Sequence, residues 1–305
     1  MTKRLKTGLI GAGAFGANHA RQLSQAPDSD FQGVYDTDAD RAEDMAGRYG
    51  VRAFASLEGL FAATEALTIA TPARTHAALA GASVAAKRHV LVEKPLAANL
   101  DEARALVAAA ARAGVTLQAG HQERFVLKAL GLFDVPEKPL RVESVREGPF
   151  TGRGMDVSVT FDLMIHDLDL VAVLFGDAPS EILATGRAER GAEYDAVEAH
   201  LHFPAGRAQL TASRVAEKRM RAMRVVYPSG EVSVDFLART MSNTTPFALD
   251  PDFAEKAPDP LGQNVRTFLA TILNGGASEI SGESGAAAVA LAAAIDTACA
   301  APANR

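Results

Sequence analysis

The sequence is poor in several features that mark particular classes of protein. Its 305 residues include one cysteine, Cys299, and no tryptophan, which excludes an internal disulfide and a thiolate metal cage. The formal net charge is −6, so the chain has no basic surplus with which to displace the counterions of a nucleic acid. The longest apolar run covers only residues 286–295 and is too short to span a bilayer.

The amino terminus only imitates a secretion signal. Lys3, Arg4 and Lys6 precede a small-residue stretch, but glycines dilute its apolar character. A lone cysteine is typical of a reducing compartment. We therefore expect a soluble cytoplasmic protein with no nucleic-acid or membrane partner and no metal.

The first 120 residues have the pattern of an α/β domain. Apolar residues make up 48% of the chain, which is ordinary for a globular protein, and the length suits two domains. Short apolar runs alternate with alanine-rich segments of helical spacing, one of which is bounded by Asn99 as N-cap and Gly114 as C-cap. This alternation predicts βαβ units and a doubly wound parallel sheet over residues 1–120.

The pattern changes beyond residue 120. One helical stretch, Thr160–Phe175, precedes five strand-like runs, and turns such as Pro204-Ala205-Gly206 separate neighbours. Two terminal helices follow a loop at 242–260, which we expect to cover a site. Residues 121–305 are therefore predicted to form an α+β domain with an open, mainly antiparallel sheet.

A glycine-rich turn follows the first predicted strand. Gly11 permits the tight turn, Gly13 lets a pyrophosphate approach the backbone, and Gly16 permits close contact between helix and strand. Ala14 and Phe15 lie where the helix begins, and its N-terminus favours phosphate. Asp36 ends the second strand twenty residues beyond the last glycine, where a ribose-binding carboxylate is expected. We predict a Rossmann domain that binds NAD rather than NADP, since this carboxylate would repel a 2′-phosphate.

Two further segments carry candidate chemistry. The strand at 90–92 runs into Glu93-Lys94-Pro95, which places a lysine in the crevice at the carboxyl ends of the strands, although a solvated charge pair is an alternative. Asp162, His166 and Asp169 have the spacing that puts them on one helix face. A histidine flanked by acids suits acid–base catalysis, while a metal site or a structural network would use the same residues.

Taken together, these motifs resemble the Gfo/Idh/MocA family of oxidoreductases. The resemblance spans residues 5 to about 175, and the chain is short for the family. It rests on Gly11–Gly16, Ala70-Thr71-Pro72 with His76, Glu93-Lys94-Pro95, Gly120–Phe125 with Gln122, and Asp162–Asp169.

The resemblance implies NAD(P)-dependent chemistry at a sugar or polyol carbon. Lys94 would polarise the reacting hydroxyl, His166 would take its proton, and Asp162 would hold the substrate or the ring. It also implies an open sheet that mediates a homodimer or homotetramer. The residues that would line the cofactor are Thr71, Pro72, His76, Glu93, Lys94 and Gln122.

The acidic helix most resembles that of short family members that oxidise nucleotide sugars, UDP-N-acetylglucosamine 3-dehydrogenases among them. We expect Asp169 to contact the substrate, and Arg153 and Arg214 to bind its pyrophosphate unless they are ordinary surface arginines. The alternatives are a dehydrogenase of a free sugar or inositol, a catalytically silent NAD-binding regulator, and a redox-cycling hydrolase or lyase.

Overall fold

The computed structural model describes residues 3–300 of the chain, which divides into two compact units. The first unit comprises Met1–Gln122 with Asp259–Ala286, and the second comprises Glu123–Pro258 with Ala287–Arg305. The sequence predicts one boundary, after residue 120. In the structure a later segment also belongs to the first unit.

The first unit contains a six-stranded sheet in which every pairing is parallel. The strand order is β3-β2-β1-β4-β5-β6, which is the order of a doubly wound dinucleotide-binding domain. This confirms the predicted fold class. The strands are β1 Leu5–Ile10, β2 Ser29–Tyr35, β3 Arg52–Ala53, β4 Ala66–Ile69, β5 His89–Val92 and β6 Leu117–Ala119.

Helices connect these strands. The predicted caps of α5 are present: the Asn99 side chain accepts a hydrogen bond from the Glu102 N–H, and Gly114 ends the helix in the left-handed conformation. The helices are α1 Ala14–Gln25, α2 Ala39–Tyr49, α3 Leu57–Ala63, α4 His76–Ala85 and α5 Leu100–Ala113.

The second unit contains a seven-stranded sheet in the order β13-β12-β11-β7-β10-β9-β8. Its pairings are antiparallel except between β7 and β10, which confirms a mainly antiparallel sheet. The strands are β7 Arg141–Glu147, β8 Glu181–Arg187, β9 Ala196–Phe203, β10 Gly206–Ser213, β11 Met220–Tyr227, β12 Gly230–Asp235 and β13 Thr240–Asn243.

The helical elements of this unit refine two predictions. The predicted helix over 160–175 begins as a π turn, Thr160–Met164, and continues as an α-helix, α7. The expected loop at 242–260 contains the end of β13 and a short helix, α8. The helices are α6 Arg124–Leu130, α7 Ile165–Phe175 and α8 Phe253–Lys256.

Two longer helices follow: α9 Pro260–Asn274 and α10 Gly282–Ala300. The apolar face of α9, with Val265, Phe268 and Leu269 buried, joins the core formed by β1, α1 and β5, which explains why this segment belongs to the first unit. By length and composition alone α10 would reach across a membrane, because small residues extend its apolar run. Ala288, Val289, Ala292 and Ile295 are completely buried, so one face of this helix packs against protein.

Candidate active site

The loop between β1 and α1 leaves space for the predicted pyrophosphate. Gly11 has φ +105°, and a Cβ there would lie 2.5 Å from the Ala70 carbonyl oxygen. A Cβ at Gly16 would lie 2.0 Å from the Gly11 carbonyl oxygen. A Cβ at Gly13, in contrast, would meet no described atom within 4 Å, and Gly13 gives α1 no side-chain cap. This open space beside the uncapped start of a helix fits a dinucleotide phosphate.

The predicted ribose ligand is held in place at the end of β2. Asp36 accepts hydrogen bonds from the backbone N–H of Ala12 (2.6 Å) and of Asp38 (2.9 Å), which fix both carboxylate oxygens. Ala14 and Phe15 begin α1, as the sequence predicts. The Asp36 carboxylate is therefore hydrogen-bonded to the glycine loop from which α1 begins.

Glu93 is not a solvated partner of Lys94. It is 5% exposed and accepts a hydrogen bond from His19 Nε2 at 2.7 Å, while its other oxygen accepts from the Lys94 N–H at 3.2 Å. A Cβ at Gly120 would lie 2.8 Å from this carboxyl group. Glu93 thus supports the backbone that carries the half-buried Lys94. His19 is not among the predicted site residues, so this hydrogen bond went unpredicted.

His76 connects two of the predicted cofactor-binding segments. It is 1% exposed, with Nδ1 2.7 Å from the Pro95 carbonyl oxygen and Nε2 2.9 Å from the Thr71 carbonyl oxygen. Burial lowers the pKa of His76, and the two carbonyl contacts oppose that shift only in part. Both ring nitrogens face backbone, which favours a positioning role over the expected cofactor contact.

The remaining predicted cofactor residues lie just beyond the carboxyl ends of parallel strands. Thr71 and Pro72 follow β4, and Gln122 follows β6; Pro72 is exposed and the other two are half-buried. This is the edge at which open α/β sheets bind ligands.

The acidic helix does not present the stripe that an ideal α-helix would give. The π turn contains Asp162 and changes its angular relation to His166 and Asp169. Asp169 is 1% exposed and forms a two-pronged ion pair with Arg124, with N–O distances of 2.6 and 2.5 Å. This pairing favours a structural role for Asp169 over the expected substrate contact.

A buried charge network lies next to His166. Its Nδ1 is 4.0 Å from Glu123 Oε1. Arg146, 2% exposed, donates to both Glu123 oxygens (2.8 and 2.5 Å) and to both Asp167 oxygens (2.9 Å each). Burial lowers the pKa of Arg146, but the charges of Asp167 and Glu123 outweigh burial and hold that pKa above its usual range. The histidine therefore lies beside a carboxylate that a permanently charged guanidinium fixes in position.

Sequence reasoning missed Glu123 and Arg146 and left Asp167 outside the acidic stripe. A signal for Arg146 was present, because β7 alternates and places it on the same face as Val142 and Ser144. A charged residue on the buried face of a strand requires a buried partner of opposite charge.

The two arginines predicted to bind pyrophosphate differ in their exposure and in their partners. Arg214 is 5% exposed and donates to Asp195 (2.6 Å) and to the carbonyl oxygens of Gly154 (2.6 Å) and Val157 (2.9 Å). A two-pronged phosphate contact is therefore not available to it, and this geometry favours a structural role. Arg153 is exposed, and its phosphate contact stays a prediction.

The loop that Arg214 holds lies against Asp162. A Cβ at Gly154 would come within 2.4 Å of an Asp162 carboxylate oxygen. The described residues 3–300 contain no group of three or more His, Cys, Asp or Glu side chains placed to hold a metal ion. Asp169, the third residue of the predicted acidic stripe, is bound by Arg124.

Comparison with known proteins identifies both halves of the chain. Residues 5–121 match the profile described as "Oxidoreductase family, NAD-binding Rossmann fold" (GFO_IDH_MocA), and residues 141–233 match the GFO/IDH/MocA C-terminal domain. UDP-N-acetylglucosamine 3-dehydrogenase of Acidithiobacillus ferrooxidans is 36% identical over 78% of this chain and 76% of its own. A solved structure of that enzyme superposes with a TM-score of 0.89 and 32% identity, covering 97% of each chain. Myo-inositol 2-dehydrogenase of Thermotoga maritima is 26% identical over 94% of each chain.

Proposed function

The chain belongs to the GFO/IDH/MocA oxidoreductase family, and we propose that within it the chain is an NAD-dependent dehydrogenase that oxidises the 3-hydroxyl of UDP-N-acetylglucosamine. The observation that carries this proposal is the similarity to a UDP-N-acetylglucosamine 3-dehydrogenase along nearly the whole chain. The similarity to an inositol dehydrogenase, at 26% identity over 94% of each chain, makes a free polyol the second candidate substrate.

The residues take the following roles in this proposal. Bound NAD supplies the hydride acceptor. Lys94 donates a hydrogen bond to the substrate hydroxyl and polarises it, and Asp162 holds the substrate. His166 takes the hydroxyl proton at Nε2, because its Nδ1 faces Glu123. The Glu123 carboxylate then stabilises the imidazolium that forms.

We also propose that NAD is preferred over NADP. Asp36 would accept hydrogen bonds from both ribose hydroxyls and would repel a 2′-phosphate. The nearest candidate cation, Arg41, is exposed and paired with Asp38 at 3.0 Å. Titration followed by the nicotinamide fluorescence of each reduced cofactor tests this preference, and tighter binding of NADPH would refute it.

We propose a cytoplasmic homodimer or homotetramer formed through the outer face of the seven-stranded sheet. On its edge strand β8, Leu183 is 54% exposed, which is unusual for a large apolar side chain. Light scattering of the purified chain measures the mass, and a monomer at micromolar concentration would exclude this assembly.

The deciding experiment is NADH formation with UDP-N-acetylglucosamine, N-acetylglucosamine, free hexoses and inositols, each with a carbonyl trap to draw the reaction forward. Turnover confined to UDP-N-acetylglucosamine supports the proposal. Turnover confined to free polyols refutes the substrate but leaves the cofactor and the catalytic residues. Binding of NAD without turnover of any substrate favours the silent regulator, and NAD retained through purification without net reduction favours the redox-cycling hydrolase or lyase.

A further inference from the structure

An arginine that has no acidic ion-pair partner among the described residues lies on the sheet face that carries Arg146. β11 pairs antiparallel with β7, and Arg221 is opposite Arg146 in that pairing. Side chains alternate along a strand, so Arg221 shares its face with Met223 and Val225, which are 1% and 0% exposed. Arg221 is half-buried at the end of this otherwise buried row.

The two neighbouring arginines differ in their partners. Arg146 is bound by Glu123 and Asp167. Within residues 3–300, by contrast, no side chain forms a hydrogen bond or ion pair with the guanidinium of Arg221. Burial lowers the pKa of Arg221 and the charge of Arg146 lowers it further, while the two carboxylates offset this only in part. A half-buried guanidinium that has a like charge beside it and no ion-pair partner is stabilised when an anion binds it.

A third arginine lies at this end of the sheet. Arg219, exposed just before β11, lies near enough for its charge to act on Arg221. The charges that act on Arg221 are therefore those of two arginines, Arg146 and Arg219, and of two carboxylates, Glu123 and Asp167. Glu123 also lies 4.0 Å from His166. Arg221 is thus coupled to the carboxylate beside the residue proposed to accept the substrate proton.

We propose that Arg221, assisted by Arg219, binds the diphosphate of a nucleoside-diphosphate sugar and so distinguishes this substrate class from free sugars and polyols. The inference rests on the proposed function, because it assumes that the substrate is bound beside His166. The guanidinium fork suits two phosphate oxygens at once. It replaces Arg214, whose guanidinium is buried and bound to Asp195 and to backbone carbonyls, as the expected phosphate ligand of the second unit.

The test measures binding rather than turnover. Isothermal titration is performed with UDP, inorganic pyrophosphate and N-acetylglucosamine on the full chain saturated with NAD, so that the glycine loop is already occupied. The variants are Arg221→Gln, Arg221→Lys and Arg224→Gln. Arg224 is the matched control, since it lies on the same strand but the opposite face and pairs with Glu143 and Glu231. NAD affinity and thermal melting establish that each variant is folded.

We expect Arg221→Gln to weaken the binding of UDP and of pyrophosphate about tenfold or more. Arg221→Lys should retain part of the affinity, and Arg224→Gln should match the wild type. Pyrophosphate binding that depends on Arg221, without any UDP binding or UDP-sugar turnover, would support the anion site and refute the proposed nucleotide-sugar substrate. Undiminished affinity in folded Arg221→Gln, equal losses in both glutamine variants, or no binding of either anion to the wild type would overturn the inference.

Discussion

Glu123 Oε1 lies 4.0 Å from His166 Nδ1, and Arg146 donates to both oxygens of the same carboxylate. A histidine that must accept a proton benefits from a fixed negative charge at its other nitrogen, which orients the ring and stabilises the imidazolium. Arg146 confines the Glu123 carboxylate, so that its distance from His166 is set by the fold and not by side-chain motion.

Glu123→Gln should therefore lower turnover about ten- to a hundredfold while leaving NAD affinity unchanged. Loss of the carboxylate charge destabilises the imidazolium and lowers the pKa of His166, so the acid limb of the kcat/KM profile for oxidation should move to lower pH. NMR titration of ring-labelled histidine, with His166→Asn to assign the signal, measures the same shift without substrate.

The matched control for this prediction is Glu143→Gln. Glu143 is also a partner of an arginine, but it lies on the opposite face of β7 and is one-third exposed. It undergoes the same change of charge and should leave both the pH profile and the His166 titration unchanged. If Glu123→Gln behaves like this control, Glu123 is a structural residue only.

Local signals in the sequence predicted the first unit well. Asn99 and Gly114 bound α5 because capping depends on a few neighbouring residues. The glycine loop and Asp36 were predictable for the same reason, since the turn, the helix start and the strand end follow one another in the chain. Lys94 was placed by the buried strand that precedes it.

The second unit depended on contacts between distant residues, which the sequence does not display. β7 lies at the centre of its sheet, yet it has no apolar run, because Arg141, Glu143 and Glu147 alternate with its buried positions. Once β7 is missed, the partners of Arg146 cannot be inferred. The involvement of Arg214 and Asp169 in buried ion pairs likewise emerges only from the tertiary structure.

Lys94→Ala should separate chemistry from cofactor binding. We expect turnover to fall about a hundredfold or more, because the substrate hydroxyl loses its polarising hydrogen bond. NAD affinity should change little, since the backbone at this position is held by Glu93. Single-turnover kinetics measure the rate of the chemical step, and cofactor titration measures the NAD affinity. Lys6→Ala, at an exposed position of β1, is the control. Equal losses in turnover and affinity would assign Lys94 to cofactor binding instead.

His76 should make stability depend on pH. Burial lowers its pKa in the folded state, so the unfolded chain takes up a proton at a higher pH than the folded one. The stability it contributes is present above its unfolded pKa, about 6.5, and is lost as the pH falls towards the folded value.

Urea unfolding from about pH 7.5 to about pH 5.5 should therefore show a shallower loss of stability in His76→Gln than in the wild type. The same slope in both proteins would show that His76 does not titrate in this range.

Two glycines of one loop should respond to the same substitution in opposite ways. In Gly13→Ala the new methyl group projects into space that is open to 4 Å, so the fold should tolerate it and the melting temperature should stay near the wild-type value. The methyl group would nevertheless occupy the position we assign to the pyrophosphate, and the dissociation constant for NAD should rise about tenfold or more.

In Gly16→Ala the methyl group would lie 2.0 Å from the Gly11 carbonyl oxygen, so α1 must shift. That overpacking should cost about 1–3 kcal/mol of unfolding free energy. Calorimetry and NAD titration on both variants distinguish the effects. A Gly13→Ala protein that binds NAD as tightly as the wild type would place the cofactor phosphates elsewhere.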